Sequence, residues 1–143
     1  MLVDANILIY ARDRSSPFHA PCRDWLERAL NGPSRTGLPW DSLGAFLRLS
    51  THPRAAERPL EPGAAWDQVE TWLAAPSAWI PTPTDRHAEV LGGLVLNHRL
   101  SGNLVPDAHL AALALCHGVG LCSADSDFAR FVGLRWVNPL AER

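Results

Sequence analysis

Two neighbouring stretches decide the fold: Pro106-Asp107-Ala108-His109-Leu110-Ala111-Ala112-Leu113-Ala114-Leu115 and, beyond Gly118, Val119-Gly120-Leu121-Cys122-Ser123-Ala124-Asp125. In the first, Leu110, Ala111, Leu113, Ala114 and Leu115 run almost all the way round a helical projection, which is the pattern of a buried helix. Gly118 suits its C-cap, because glycine enters the left-handed conformation without penalty. In the second, Val119 to Ser123 is short and apolar, as an interior strand is. A short helix over Asp125 to Phe131 and a last strand over Leu134 to Val137 follow. A buried helix feeding a buried strand is the repeating unit of a parallel sheet covered on both faces.

The rest of the chain repeats that alternation. Met1 to Val3 reads as a strand ended by Asp4-Ala5-Asn6, and a second apolar run, Ile7 to Ala11, follows. Phe18, Cys22, Trp25, Leu26, Ala29 and Leu30 recur at helical spacing until Gly32-Pro33 stops them. Thr36 to Trp40 is a brief strand, Ser42 to Ser50 a helix, Arg54 to Pro62 a linker rich in Arg, Glu and Pro. Trp66, Val69, Trp72 and Leu73 mark another helix, and Ala78 to Thr82 a strand. Thr84 is placed to N-cap a helix through His87, Val90, Leu91, Leu94 and Val95 that ends near Gly102. Strands alternate with helices throughout, so a three-layer α/β/α domain with a mostly parallel central sheet is expected over residues 1–143, as one domain.

Composition narrows the chemistry. The 143 residues carry 13 basic and 15 acidic side chains, net −2, and every basic residue other than histidine is Arg. Without Lys there is no P-loop and no Schiff base. The near-neutral charge gives no global field for nucleic acid, although a carboxylate-rich metal enzyme can hold RNA through a few local guanidinium groups. An acid at the fourth residue and no basic leader argue against a secretory signal, and the longest uncharged run, Ala108 to Ala124, is too short and too broken for a membrane span. Three Cys without framework spacing read as small buried hydrophobes of a reducing compartment, so a cytoplasmic, membrane-free protein is expected.

In open parallel sheets the functional crevice lies outside the carboxyl ends of the strands. Asp4 and Asp125 each follow a strand directly, Asp127 lies two residues further, and Asp107 opens the helix that feeds the strand before Asp125. Each acid also has a local role open to it: Asp4 in the turn after its strand, Asp107 at a helix N-terminus favoured by the dipole, Asp125 or Asp127 as the cap of a short helix. Two like charges about 5 Å apart at an effective dielectric of about 20 repel by roughly 3 kcal/mol, so converging acids must be protonated, spread apart or neutralised by a cation. Oxygen donors without Cys, with Asn6 and the Ser123 hydroxyl nearby, suit Mg²⁺ or Mn²⁺ better than zinc. One or two such ions activate water for phosphodiester hydrolysis.

These same residues carry a family resemblance. Leu2-Val3-Asp4-Ala5-Asn6-Ile7-Leu8 resembles the opening of PIN domains. Pro106-Asp107-Ala108-His109-Leu110-Ala111-Ala112-Leu113-Ala114 and Leu121-Cys122-Ser123-Ala124-Asp125-Ser126-Asp127-Phe128-Ala129-Arg130-Phe131 are similar to their C-terminal half. With the closing Leu134-Arg135-Trp136-Val137-Asn138-Pro139-Leu140, the likeness is to VapC toxins of type II toxin-antitoxin systems and spans essentially the whole chain. It implies a divalent-metal-dependent endoribonuclease, held in check by a VapB-type antitoxin and forming a homodimer. The family's metal-binding acids map onto Asp4 and Asp107, with Asp125 completing the cluster, Asp127 more peripheral, and Asn6 and Ser123 orienting them.

One position departs from the family pattern. Where PIN domains carry Glu in a Glu-Phe-Leu-Arg stretch, this chain reads Ala45-Phe46-Leu47-Arg48. Asp41 lies one helical turn earlier on the same face, so it either supplies the missing carboxylate or caps the helix after Trp40. His109, two residues after Asp107, points away from that side chain on a helix and faces RNA or the surface. Arg48, Arg86 and Arg99 are candidates for phosphate contacts, or else surface ion-pair partners. Of the six Trp, most belong in the core, with Trp66 and Trp72 as the pair to consider for an exposed patch. The alternatives to a ribonuclease toxin are a degenerate PIN-like binding module with weak or no nuclease activity, or a structure-specific DNA nuclease using the same acids.

Overall fold

In the computed structural model, which describes residues 1–141, strands and helices alternate from the first residues on; the last two residues of the expected span 1–143 lie outside the described ones. The order is β1 (Leu2–Val3), α1 (Ala5–Arg12), α2 (His19–Leu30), β2 (Thr36–Gly37), α3 (Trp40–Thr51), α4 (Pro62–Leu73), β3 (Ala78–Trp79), α5 (His87–His98), α6 (Leu104–Cys116), β4 (Leu121–Cys122), a 3₁₀ turn (Ser126–Arg130) and β5 (Trp136–Val137). The strands form a five-stranded sheet in the order β3-β2-β1-β4-β5, and every pairing is parallel. The chain builds outward from β1 to β3 on one side, then returns to lay β4 and β5 on the other. Strand order therefore reverses between β1 and β4, and in such sheets that switch point opens the crevice.

The three layers follow from the two-residue period of a strand. Val3 and Cys122 join the core with residues of α1 to α4, including Ile7, Leu26, Phe46 and Val69. Their neighbours Leu2 and Leu121 face the opposite way, into a second core with Leu110, Leu113, Phe128 and Phe131. Phe46 meets Trp72 edge-on at 4.8 Å; truncating a ring so enclosed costs about 3–5 kcal/mol. Close strand packing also fixes two glycines. A Cβ at Gly37 would collide with the Leu2 side chain, and one at Gly120 would lie 2.8 Å from the Arg135 carbonyl oxygen.

Several boundaries differ from the sequence expectations. Trp40 opens α3 instead of ending the preceding strand, because Pro39 at the N-cap is already extended, with ψ 148°. Asp41 is consequently a first-turn residue and not the cap. Helix α6 starts two residues before Pro106, which is tolerated there because first-turn N–H groups have no intrahelical acceptor to lose. Thr84 does not cap α5 either: its hydroxyl accepts from the Arg86 N–H at 3.3 Å and its carbonyl from His87 N–H at 3.0 Å, forming the turn that leads in. Helix α5 stops at His98, not near Gly102, because Arg99 takes the left-handed conformation, φ 52°. Among the described residues no helix is long and apolar enough to cross a membrane.

Candidate active site

Register does the first part of the assembly. Leu2 lies opposite Leu121 and Val3 opposite Cys122, so Asp4 and Ser123 leave the sheet side by side. The Asp4 N–H donates to the Cys122 carbonyl at 3.0 Å. Asp4 then caps α1, its Oδ1 accepting from the Ala5 N–H at 2.7 Å. Its Oδ2 accepts from the Ser123 hydroxyl at 2.7 Å and from Asn6 Nδ2 at 3.3 Å. Asn6 also spans the strands: its Nδ2 donates to Ser123 Oγ at 3.1 Å and its Oδ1 accepts from the Ala124 N–H at 3.2 Å. Ser123 Oγ accepts in turn from the Asp125 N–H at 3.0 Å, and Trp136 Nε1 donates to the Ser123 carbonyl at 2.9 Å. Ser123 is fully buried, so one hydroxyl ties two acids to two strand ends.

The remaining acids arrive from the turns beyond. Asp125 caps the 3₁₀ turn, with Oδ1 accepting from the Asp127 N–H at 2.8 Å. Asp107 sits in the first turn of α6. One ligand atom each from Asp107, Asp125 and Asp127 lie within 4.8 Å of one another. Oxygens on opposite sides of a divalent ion are about 4–5 Å apart, given metal–oxygen distances of roughly 2.0–2.6 Å, so one ion can touch all three. Capping and site roles are thus not alternatives here, since each capping carboxylate of this crevice retains a second oxygen.

The electrostatics express the crowding. The Asp107 carboxyl is pushed up to about 6, first by burial, then by the charges of Asp125, Asp4 and Asp127, with Arg130 opposing. Asp4 is also raised, by burial first and by Asp125 last, against the hydrogen bonds from Ser123 and Ala5. Acids held close enough to resist losing their protons form an environment that a cation relieves. The donor set is all oxygen, as hard divalent cations prefer.

The structure groups the expected residues unevenly. Asp127, read as peripheral, lies within the cluster while its other contacts go to Arg130, whose guanidinium reaches the Asp127 carboxylate at 3.2 Å and its carbonyl at 3.0 Å. Asp41 is engaged by His109, with Nε2 to Oδ2 at 3.2 Å, and His109 Nδ1 lies 2.9 Å from His87 Nε2. This histidine pair is what reading the sequence missed; the recurrence of His87 at an apolar helical position was its only trace. Arg86 and Arg99 flank opposite ends of α5, about 20 Å apart at roughly 1.5 Å per residue, and Arg48 lies in the last turn of α3. Trp72 is buried; the exposed indoles are Trp66 and Trp40, with parallel rings 6.5 Å apart.

Comparison with known proteins agrees with this arrangement. The PIN domain model matches residues 1–134. Ribonuclease VapC37 of Mycobacterium tuberculosis is 49% identical over 98% of this chain and 97% of its own length. Ribonuclease VapC33 of the same species is 34% identical over 99% of both. Among solved structures, the VapBC2 complex from Rickettsia felis bound to promoter DNA superposes with TM-score 0.66 at 16% identity, covering 96% of each chain. Mycobacterium tuberculosis VapC20, described as a sarcin-ricin loop cleaving toxin, gives 0.64 at 17% identity over 94% of this chain and 98% of its own. At such identities the structural matches speak for the fold, and the sequence matches for the lineage: the chain belongs to the PIN-domain family and, within it, to the VapC proteins.

Proposed function

We propose that the protein is an endoribonuclease that hydrolyses RNA phosphodiesters with Mg²⁺ or Mn²⁺, and that it acts in the cytoplasm as the toxin of a type II toxin-antitoxin pair. The observation that carries this reading is the convergence of Asp107, Asp125 and Asp127 within reach of one ion, beside an Asp4 pinned to the same edge by Ser123. Relatives named VapC ribonucleases support the reaction class. The VapBC complexes among the structural neighbours support a VapB-type antitoxin as partner, and a homodimer accompanies that reading.

Asp4, Asp107 and Asp125 are the residues that hold the cation, with Asp127 on the exposed side. When bound, the ion supplies Lewis acidity toward a water and a phosphoryl oxygen. The chain's own contribution is placement. Ser123 and Asn6 donate to one Asp4 oxygen and keep it from rotating. Burial and the neighbouring carboxylates hold the Asp107 proton up to about pH 6, a proton that a bound cation would displace. Arg48, Arg86 and Arg99, spread over the outer helices, contact phosphates along the RNA away from the scissile bond.

The test is cleavage of total RNA by the purified protein with Mn²⁺, repeated with chelator and with Asp4→Ala and Asp107→Ala. Metal-dependent cleavage that both substitutions abolish is expected. Chelator-insensitive cleavage, or full activity in either variant, contradicts the mechanism. A chain with no cleavage and no Mn²⁺ site is the binding module that Ala45 allows, and preference for DNA over RNA marks the nuclease alternative.

A further inference from the structure

Helices α3 and α4 lie side by side and meet through two aromatic pairs. Phe46 and Trp72 form the inner one, edge-on at 4.8 Å with both rings buried. Six residues nearer the start of each helix, Trp40 meets Trp66 with rings 6° from parallel and centroids 6.5 Å apart. The matching step shows that the two helices run in the same direction. Only the inner pair is absorbed by the core: Trp40 and Trp66 remain 47% and 43% exposed. Successive bases of a strand stack about 3.4 Å apart, so rings with centroids at 6.5 Å are not in full face-to-face contact and keep π-surface open. Trp66 is held in this pose by its own helix, Nε1 donating to Glu70 Oε1 at 2.7 Å.

The exposed pair stands at the edge of the sheet that carries the acids. Strands β1 and β2 pair in parallel with Leu2 opposite Gly37. Asp4 follows β1 directly and Trp40 opens α3 three residues beyond Gly37. Their backbones therefore leave the same edge from neighbouring strands, which lie about 4.8 Å apart. From Trp40 the outer face of α3 continues through Gly44 to Arg48, exposed residues spaced four apart on one helix face. A Cβ at Gly44 would meet nothing within 4 Å, so another backbone can approach the helix closely there. Arg48 lies about 12 Å along the axis from Trp40, at roughly 1.5 Å per residue, and pairs with no acid among the described residues.

Aromatic faces, an open stretch of helix and a guanidinium in line are the parts that hold a single strand. Bases of any identity stack on aromatic rings, and a guanidinium fork takes a phosphate. A chain without Lys and with net charge −2 gains little from long-range attraction, so stacking carries more of its RNA affinity. We propose that Trp40 and Trp66 form a stacking site for an unpaired base of the RNA substrate, on a strand that runs from the acid edge along α3 to Arg48. The inference rests on the reading of the protein as a ribonuclease.

The test uses the full chain without metal, so that nothing is cut, and the anisotropy of a labelled 12-nucleotide oligo(A). Trp40→Leu and Trp66→Leu keep apolar bulk and lose the π-face; each should weaken binding about 5- to 150-fold, the range for one stacked base. Trp40→Phe should bind close to wild type. An oligomer of dihydrouridine, whose saturated ring cannot stack, should bind wild type and Trp40→Leu alike. Raising the salt should leave the Trp40→Leu deficit constant, whereas Arg48→Ala should lower the slope of log K against log salt by about 0.7, the share of one phosphate. Wild-type affinity in both Leu variants, equal losses in Trp40→Leu and Trp40→Phe, or the same Trp40→Leu deficit on dihydrouridine would each overturn the proposal. So would a lower sedimenting mass for Trp40→Leu than for wild type, which assigns the rings to a contact between two copies. A wild-type chain that cleaves RNA yet does not bind oligo(A) overturns the stacking site alone; one that does neither overturns the ribonuclease reading with it.

Discussion

The acids at the strand ends and the carboxylate on α3 are held by different means. On the β1–β4 side, acids are placed by backbone: Asp4 and Asp125 lie within three residues of paired strand ends, and Ser123 and Asn6 lock them with hydrogen bonds of 2.7 to 3.3 Å. On the α3–α6 side nothing comes from register. Asp41 is held by His109 alone among the described side-chain contacts, and its own side chain is 57% exposed. The first arrangement follows from strand pairing; the second depends on how α3 and α6 pack. Damage to the first should therefore be severe, and damage to the second small, since the Asp41 side chain is largely exposed.

The largest expected effect is at Asp107. Asp107→Asn removes a charge from the centre of the cluster, and losing transition-state stabilisation of about 4 kcal/mol lowers RNA cleavage about 10³-fold, measured as initial rates at saturating Mn²⁺. Residual activity within tenfold of wild type would show that the cluster is not the reacting centre. Next is Ser123→Ala, which removes the hydroxyl joining Asp4 to Asp125. Mn²⁺ affinity should drop about 10–100-fold and stability by about 1–3 kcal/mol from the groups left unpaired, read from metal titration and urea unfolding. If Ser123→Ala costs less metal affinity than His109→Asn, the contrast between the two sides is reversed.

A smaller effect is set by pH. The carboxyl of Asp107 has its folded pKa raised from 3.8 to about 6, so the folded metal-free chain binds that proton more tightly than the unfolded one. The stabilisation is complete below about pH 4 and is lost as pH rises through about 6, with Asp4 acting in the same direction. Urea midpoints of the metal-free protein between pH 4 and 7 should fall accordingly, and Asp107→Asn should flatten the slope. The smallest effect is at Arg130, whose half-exposed guanidinium opposes the rise of Asp107. Arg130→Ala should move the Asp107 titration upward by a fraction of a pH unit, visible by ¹³C carboxyl shifts, with cleavage at pH 8 nearly unchanged, since exposed pairs contribute about 0–1 kcal/mol.

How much was legible in the sequence divides along the same line. The all-round apolar helix ending at Gly118, the strand before Ser123 and the acid after Val3 encode their own placement, because parallel pairing brings strand ends together wherever the strands lie in the sheet. The place of Asp127 was not legible because it follows from the cap of the 3₁₀ turn: the Asp125 carboxylate accepts from the Asp127 N–H at 2.8 Å and so folds that acid back beside Asp125 and toward Asp107. The His87–His109 contact joins residues on two helices whose crossing no periodicity reveals. Arg86 and Arg99 looked alike as guanidinium groups, and only the length of α5 separates them.

The most direct measurement is Mn²⁺ calorimetry on the intact chain near pH 6, in two buffers of different ionisation enthalpy. Binding with release of a fraction of a proton is expected, because the incoming cation takes the place of the proton that Asp107 holds at that pH, and both signals should vanish in Asp107→Asn. Absence of binding in the wild-type chain, or binding unchanged in Asp107→Asn, would contradict a metal site built from these acids.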